Sequence, residues 1–426
     1  MEGNRVNQAG KVFHLAQEGA AQSVRSLGAS TRIESVELPI IPTIAAMVRE
    51  NPGCISLGQG VVSYGPPPEL IARLPAMMDD LQLHKYQAVS GLPALTEALA
   101  IKLKEVNGID LSQSRIMVTA GSNMAFLNAV LAVADPGDEF ILPLPYYFNQ
   151  EMAIRMANGK PVAVRSQPDY QLDLFAIEAA ITPRTRAIVT VSPNNPTGVV
   201  YPKEDLLRIN QLCKRFGIYH FSDEAYEYFT YEGAAHYSAA SDAMAQDHTL
   251  SFYSFSKNYG MASWRVGYVV YPDHLHQAMN KVQDTNLICA PVVSQLLAIE
   301  VLKRPRKLID EQIDRLAKVR AKVYDLLTPL RPLADFYPTQ GAFYVMVSLP
   351  GVENPLAFNQ FLARKHRVAC VPGFAFGLND TSLRNVQRLS YGALAPETVV
   401  EGVNRFVAGV REWYQDFDEP NADLIS

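Results

Sequence analysis

The chain has 426 residues, of which 48% are hydrophobic and 19% are charged, and its formal net charge is −5. This composition is that of an ordinary globular protein, long enough for two domains. Lys and Arg are scattered along the chain without a basic stripe, which argues against nucleic acid or a membrane surface as a partner. We also find no apolar run of transmembrane length and no signal-peptide pattern.

Cysteine usage and the first residues give two further expectations. The four cysteines (Cys54, Cys213, Cys289 and Cys370) are far apart and form no CxxC motif, which argues against a disulfide framework and a structural zinc site. No other metal site is expected, and a reducing, cytoplasmic location is the simplest interpretation. Residues 1–30 are polar and rich in Ala, Gly and Ser, so we interpret them as an extension, either a disordered tail or a functional arm.

In the middle of the chain, apolar runs of strand length alternate with segments of helical character. This alternation predicts an α/β domain with a mainly parallel sheet, in which a ligand lies beyond the carboxyl ends of the strands. The predicted strands are 115–119, 139–144, 161–165, 187–191, 218–221, 250–253 and 266–271, and the main predicted helices among them are 124–134, 172–181 and 203–216.

Polar clusters follow several of these strands. A turn at Gly121-Ser122 stands before a helix, where free N–H groups favour an anion, although such a turn is often a plain cap. The segment 254–257 ends in Lys257, and Arg265 opens the next strand. Lysine forms Schiff bases with carbonyl compounds, while hydroxyl groups and arginine suit a phosphate. An aldehyde and a phosphate on one ligand suggest pyridoxal phosphate (PLP), against the simpler interpretation of a solvated surface lysine.

The last third of the chain predicts a second unit. A helix over 307–330 has an apolar stripe that includes Ile313, Leu316 and Val323, and we interpret it as the link between domains. The segments 341–345 and 388–391 belong to a smaller α+β unit. We therefore expect an amino-terminal extension (1–30), a large domain (74–307) and a small domain formed by both chain ends (31–73 and 308–426).

Five motifs follow one another along the chain: Ser-Pro-Asn-Asn-Pro-Thr-Gly (192–198), Ser-Asp-Glu-Ala-Tyr (222–226), Ser-Phe-Ser-Lys (254–257) with Trp-Arg-Val-Gly-Tyr (264–268), Gly-Ala-Phe-Tyr (341–344) and Arg-Leu-Ser-Tyr (388–391). In this order they resemble the class I and II aminotransferases of fold type I, in the aspartate aminotransferase superfamily. The resemblance covers about residues 32–412 and implies a large PLP-binding domain with a mostly parallel seven-stranded sheet between helices, plus a smaller α+β domain.

The resemblance implies catalytic and cofactor-binding roles for the matching residues. Lys257 would hold PLP as a Schiff base and move the substrate proton, and Asp223 would keep the pyridine nitrogen protonated. Tyr226 and Asn195 would donate to the cofactor's 3-oxygen. The phosphate and ring would be bound by Gly121, Ser122, Asn123, Tyr147, Ser254, Ser256 and Arg265, together with Tyr86 from a second subunit, which implies a homodimer with shared active sites.

The resemblance also implies the substrates, an L-amino acid and a 2-oxo acid of amino acid metabolism and biosynthesis. Arg388 would hold the α-carboxylate with a bidentate fork, which lysine could not reproduce. A backbone N–H of Gly60 and the side chain of Asn195 would reach the same group. We find no clear partner for a second substrate carboxylate. The aromatic residues would admit aromatic or long apolar side chains, or else belong to the core: Tyr64, Tyr146, Tyr147 and Phe148.

Three departures from the family pattern leave other functions open. Segment 58–64 replaces the usual Gly-x-Pro-Asp-Phe type, Asn123-Met124 stands where many relatives have Lys-Gln, and Tyr147 stands where many have Trp. A first alternative is another PLP reaction, such as β-elimination, cyclisation or oxidative deamination, because the residues around the cofactor determine which substrate bond is broken. A second is a PLP-binding regulator, for which residues 1–30 are too short and not basic enough.

Overall fold

The computed structural model describes residues 27–379 and 385–418. Most of the expected amino-terminal extension therefore lies outside the described residues. Within the described ranges the strands are β1 (Ile55–Ser56), β2 (Ser114–Thr119), β3 (Glu139–Leu144), β4 (Lys160–Arg165), β5 (Thr185–Val191), β6 (Tyr219–Asp223), β7 (Thr249–Ser254), β8 (Gly267–Pro272), β9 (Asp335–Phe336), β10 (Tyr344–Ser348), β11 (Val368–Ala369), β12 (Val371–Pro372) and β13 (Val386–Ser390).

Several of the helices begin after a proline, after a glycine turn or at an Asp, Asn or Ser cap, as at Asp173 and Ser254. They are α1 (Thr31–Glu34), α2 (Ile40–Glu50), α3 (Pro68–Ile71), α4 (Leu74–Met77), α5 (Pro93–Asn107), α6 (Ser122–Val133), α7 (Phe148–Met156), α8 (Leu174–Ala179), α9 (Lys203–Phe216), α10 (Phe255–Asn258), α11 (His276–Asn286), α12 (Val292–Leu302), α13 (Lys307–Leu327), α14 (Pro355–Phe361) and α15 (Pro396–Asp418).

A seven-stranded sheet forms the centre of the described chain, in the order β2-β8-β7-β6-β5-β3-β4. Strand β8 runs antiparallel to β2 and β7, and the other four pairings are parallel. The predicted α/β domain with a mostly parallel sheet is thereby confirmed. Both faces of the sheet are covered, so strands such as β7 and β8 are buried along their whole length.

Alternate residues of the strands pack against helices on opposite faces of this sheet. In β8, Val269 packs in the same cluster as Phe126 of α6, whereas its neighbour Val270 packs with Leu99 of α5 and Leu297 of α12. The sheet is therefore the middle layer of an α/β/α arrangement. Its carboxyl-terminal edge carries the loops that follow β2, β3, β5, β6 and β7.

A second sheet, β12-β13-β10-β9, is antiparallel, and several of its apolar residues pack in one cluster with those of helices α13 and α15. The predicted stripe on α13 is buried at Ile313, Leu316 and Val323, which confirms its helical period. Strand β1 pairs with β11, so the amino-terminal part of the chain joins the carboxyl-terminal part. The residue limits of the two domains stay a prediction. None of the helices in the described ranges is long and apolar enough to cross a membrane.

Candidate active site

A cavity of about 400 Å³ opens at the carboxyl-terminal edge of the large sheet, where the second sheet closes over it. This is the edge at which a ligand is expected in an open α/β sheet, and the volume falls in the range of small-molecule sites. Twelve of the fourteen residues selected from the sequence line it: Gly60, Ser122, Asn123, Tyr147, Asn195, Asp223, Tyr226, Ser254, Ser256, Lys257, Arg265 and Arg388.

Lys257 projects into the cavity from α10, the short helix that follows β7. The Ser254 hydroxyl caps this helix by accepting from the Ser256 N–H at 3.1 Å, which sets the direction of the Lys257 side chain. The Lys257 Nζ donates to the backbone carbonyl of Gly60 at 2.5 Å. Burial, together with the charges of Arg265 and Arg388, lowers the pKa of Lys257 to about 8, against the opposing effect of Asp223. About a tenth of this amine is therefore neutral, and nucleophilic, at pH 7.

Asp223 is the last residue of β6, next to the strand that leads to Lys257. Its Oδ1 accepts from the Ala225 N–H at 3.1 Å and its Oδ2 from Gln150 Nε2 at 2.8 Å. Burial raises the pKa of Asp223 to about 6, although these hydrogen bonds and Lys257 oppose the rise. No full positive charge contacts this carboxylate among the described residues, so the site can accept a cationic group there.

Arg388 lies on β13 and is 2% exposed. Its Nη1 donates to Asn195 Oδ1 at 2.8 Å and its Nη2 to the Gly58 carbonyl at 2.7 Å. The Nε–H is buried and has no partner within the described part of the chain. Its guanidinium lies 4.5 Å from the centre of the Tyr344 ring. A guanidinium this buried, without a carboxylate partner, favours an anionic ligand.

Tyr226 and Asn195 come together beside Arg388, from the loops after β6 and β5. The Tyr226 and Tyr344 hydroxyl oxygens are 2.7 Å apart, and Asn195 Nδ2 donates to the Tyr226 oxygen at 3.4 Å. Burial, then the neighbouring Tyr344, raises the pKa of Tyr226 well above its usual value, so it stays a proton donor. These phenol and amide groups can recognise an oxygen atom in the cavity.

The Gly-Ser turn after β2 and the arginine before β8 meet at the other end of the cavity. Gly121 has a φ of +84°, a backbone conformation that favours glycine, and a Cβ there would overlap the Arg265 guanidinium. Arg265 donates to the carbonyls of Ala262 and Ala120, at 2.8 and 3.3 Å. Helix α6 begins at Ser122 and directs its first N–H groups toward the same place. The arrangement suits an anion.

Two of the selected residues do not line the cavity in the single chain. Gly121 lies behind the Arg265 guanidinium, as just described. Tyr86 is 81% exposed on the surface, so its predicted contact with a neighbouring subunit's cofactor stays a prediction. Of the four aromatic residues expected near a substrate side chain, Tyr147 and Phe148 line the cavity, whereas the Tyr64 hydroxyl donates to the Lys257 carbonyl at 3.1 Å and Tyr146 lines a smaller neighbouring cavity.

Among the residues that sequence reasoning missed are two whose side chains contact the selected ones. Gln150 holds Asp223, and Tyr344 contacts both Tyr226 and Arg388. Gln150 stands on α7 with no motif around it. Tyr344 belongs to the Gly-Ala-Phe-Tyr motif, which marked the region without indicating which side chain faces the site.

Comparison with known proteins agrees with this geometry. The family profile described as aminotransferase class I and II matches residues 52–406. The aromatic aminotransferase ISS1 of Arabidopsis thaliana is 33% identical over 392 residues, which cover 90% of this chain and 96% of that protein. The probable aspartate/prephenate aminotransferase of Aquifex aeolicus is 35% identical over 337 residues, 77% of this chain and 84% of that one. The structure of the Thermus thermophilus aspartate aminotransferase with maleate superposes with a TM-score of 0.82, at 29% identity, over 90% of this chain and all of that one.

The fold and the site thus define a class of enzyme in which a buried lysine, a carboxylate and an arginine face one cavity. The chain belongs to the class I and II aminotransferase family. It is an aminotransferase, an enzyme that moves an amino group between an amino acid and a 2-oxo acid. The predicted family, fold class and type of activity are confirmed.

Proposed function

We propose that this aminotransferase binds PLP in the cavity, with Lys257 as its covalent partner, and acts on an L-amino acid and a 2-oxo acid. The observation that carries the proposal is the position of Lys257 and Asp223 at the ends of two neighbouring strands. The amine has a pKa of about 8 and the buried carboxylate a pKa of about 6, and both open into one cavity.

The residues present fit the three functional groups of PLP. The Lys257 amine suits the aldehyde. The Asp223 carboxylate suits a protonated pyridine nitrogen, because a cation there would relieve the cost of burying its charge. The first N–H groups of α6, the guanidinium of Arg265 and the serine hydroxyls suit the phosphate. A side chain at position 121 would displace this guanidinium, and glycine leaves room for it. Those phosphate-binding groups are Ser122, Ser254, Ser256 and Arg265.

When bound, PLP supplies an electron sink for the pair of electrons left when the substrate Cα loses its proton. In the proposed mechanism the Lys257 amine would take this proton from Cα and hold it for its return. Asp223 would hold a proton on the pyridine nitrogen. Tyr226 and Asn195 would donate hydrogen bonds to the cofactor's 3-oxygen, and Tyr147 would lie beside the ring.

Arg388 holds the substrate carboxylate in this proposal. Its Nε–H is free to donate, and a carboxylate would compete for the Nη groups that now bind Asn195 and Gly58. The Gly60 N–H and the Asn195 amide complete the site. A substrate held in this orientation has its Cα–H bond near Lys257. Holding the reacting groups together in this way speeds the proton transfer.

The cavity also supports a proposal about the substrate side chain. In the described part of the chain its cationic lining residues are Lys257, Arg265 and Arg388, each of which has a role above. Its lining also includes apolar residues, among them Ile41 and Phe148, beside polar ones such as Gln59 and Asn149. The names of the relatives divide between aromatic and aspartate aminotransferases. We therefore expect a higher kcat/KM for phenylalanine or tyrosine than for aspartate, and the reverse order would contradict this choice.

A homodimer with shared active sites is part of the proposal. Tyr86 and Leu81 are 81% and 76% exposed on one short segment, as expected for residues that contact a second subunit. Co-expressing Lys257→Ala chains with Tyr86→Ala chains tests it. If Tyr86 serves the neighbouring site, mixed dimers contain one intact site and are more active than either parent. A cytoplasmic location, expected from the cysteines, stays a prediction.

The decisive test of the cofactor is reconstitution of the purified protein with PLP. We expect about one PLP per chain, a yellow protein, and attachment to Lys257 after borohydride reduction, shown by mass spectrometry. Lys257→Ala should bind PLP without a covalent bond and lose turnover. A panel of amino acids with 2-oxo acid acceptors then tests the transfer. Turnover that needs no acceptor would instead favour a lyase, cyclase or oxidase reaction.

A further inference from the structure

Tyr344 contacts two residues with different proposed roles, Tyr226 for the cofactor and Arg388 for the substrate carboxylate. It is the first residue of β10 and is fully buried. It pairs with Ser390 of β13, so Arg388 on the same strand is its diagonal cross-strand neighbour. Its aromatic ring lies under the Arg388 guanidinium, with 4.5 Å between the guanidinium carbon and the ring centre.

The Tyr344 hydroxyl has one hydrogen bond within the described chain, the 2.7 Å contact with the Tyr226 hydroxyl. A Cβ on residue 60 would lie 2.7 Å from this oxygen, so glycine there lets the hydroxyl approach the backbone whose carbonyl binds the Lys257 Nζ. Tyr344, Tyr226, Asn195 and Arg388 thus form a closed ring of contacts. Asn195 completes the ring by bonding to both Tyr226 and Arg388.

Two phenols in contact share one hydrogen bond, and either can be its donor. When an oxygen acceptor is present in the cavity, Tyr226 donates its single hydroxyl proton to that acceptor and can no longer donate to Tyr344. The Tyr226 oxygen is left to accept, and Tyr344 is the closest donor to it. A donated hydrogen bond polarises the second O–H group and strengthens its own hydrogen bond.

We propose that Tyr344 is a positioning residue of this site: its hydroxyl donates to the Tyr226 oxygen and directs the Tyr226 proton into the cavity, while its ring holds the Arg388 guanidinium in place. This inference rests on the proposed function, since the acceptor is the cofactor's 3-oxygen. The hydroxyl therefore acts on the cofactor through Tyr226, and the ring acts on the substrate carboxylate through Arg388.

Two substitutions separate the hydroxyl from the ring. Tyr344→Phe removes the hydrogen bond and keeps the ring under Arg388, whereas Tyr344→Leu removes both. The matched control is Tyr391→Phe, because Tyr391 is 1% exposed and its buried hydroxyl has no hydrogen-bond partner among the described residues. The control removes a buried phenol oxygen nearby without removing a hydrogen bond.

The first measurement is the pKa of the cofactor–Lys257 linkage, read from absorbance against pH without substrate. Tyr344→Phe should raise this pKa by about half a unit to one unit, because a weaker Tyr226 donor stabilises the unprotonated form less. Tyr226→Phe should raise it further, and adding Tyr344→Phe to Tyr226→Phe should change little, since the effect passes through Tyr226. Tyr391→Phe should match wild type.

The second measurement is the KM for the amino acid. It should stay near the wild-type value in Tyr344→Phe and rise roughly three- to tenfold in Tyr344→Leu, which loses the ring contact with Arg388. An unchanged linkage pKa in Tyr344→Phe, or the same shift in the Tyr226→Phe background, would overturn the inference about the hydroxyl. An unchanged KM in Tyr344→Leu would overturn the inference about the ring. If wild type forms no absorbing linkage with PLP, the proposed function fails instead.

Discussion

Replacing Asp223 by Asn should stabilise the cofactor-free protein and abolish its activity. The Asp223 carboxylate has a pKa of about 6 in the folded chain against an ordinary 3.8, because burial disfavours its charge. Between these values the folded state binds more protons than the unfolded state, so stability falls as the pH rises through this window. Above pH 6 this difference in proton binding has lowered the free energy of unfolding by roughly 3 kcal/mol, as an upper bound.

Asparagine fits the same position without losing a hydrogen bond. The Ala225 N–H can donate to the Asn carbonyl oxygen, as it now does to Asp223 Oδ1. Gln150 donates to Asp223 Oδ2, and its own Oε1 is buried without a partner in the described part of the chain. A rotated Gln150 amide would accept from the new Asn amide group. The expected gain at pH 8 is therefore about 1–3 kcal/mol in the free energy of unfolding.

The neighbouring carboxylate is the matched control. Glu224 is just as buried, and burial alone would raise its pKa, but His236 and Ser238 outweigh burial and hold the pKa below its usual value. Its Oε2 accepts from Ser238 at 2.6 Å and lies 3.0 Å from His236 Nε2. Its charge adds stability above its unfolded pKa, and this is lost as the pH falls. Glu224→Gln should therefore destabilise the protein at pH 8.

Urea unfolding of the cofactor-free proteins at pH 8 and pH 5 measures both effects. The advantage of Asp223→Asn should be largest at pH 8 and smaller at pH 5. Added PLP should stabilise wild type more than Asp223→Asn, because only the carboxylate holds the pyridine nitrogen in its protonated form. An Asp223→Asn protein that is less stable than wild type at pH 8 would refute the assignment of an uncompensated buried charge.

Three further predictions concern the remaining parts of the site. Arg388→Lys should lower kcat/KM by about tenfold to a hundredfold, mostly through KM, because an ammonium lacks the planar fork that binds a carboxylate at two points. Steady-state kinetics measures it, and an unchanged KM would contradict it. Gly121→Ala should weaken PLP binding about tenfold or more by displacing Arg265, with little change in the circular dichroism spectrum; unchanged affinity in a titration would contradict it. The rate of PLP capture by the cofactor-free protein should rise about tenfold per pH unit below 8 and level off above it, since only neutral Lys257 attacks. A stopped-flow absorbance series measures this rate, and a pH-independent rate would contradict it.

Local patterns predicted the elements well where burial follows a regular period. The strand 139–144 and the helix 203–216 have the predicted limits, whereas the predicted helix 124–134 starts at Ser122 and ends at Val133. It starts there because Gly121, in its positive-φ conformation, is the residue that ends the turn. The place of the site was predictable for a similar reason, since parallel strands put their carboxyl ends on one edge.

Contacts between distant segments were not predictable in this way. The Lys257 amine meets the Gly60 carbonyl across 197 residues of sequence, and Tyr344 meets Tyr226 across 118. A period of two or 3.6 residues indicates which face of an element is buried, but it does not say what covers that face. The partners of Asp223 also depend on the tilt of α7, which sets where Gln150 reaches.

The sequence by itself determined the alternating α/β order, the family and the set of chemical groups that a PLP-dependent aminotransferase needs, because each of these is carried by local spacing and short motifs. The tertiary structure alone decided how those groups are tuned. Whether a carboxylate has a raised pKa, as in Asp223, or a lowered one, as in Glu224, depends on burial and on the side chains that distant segments bring to it.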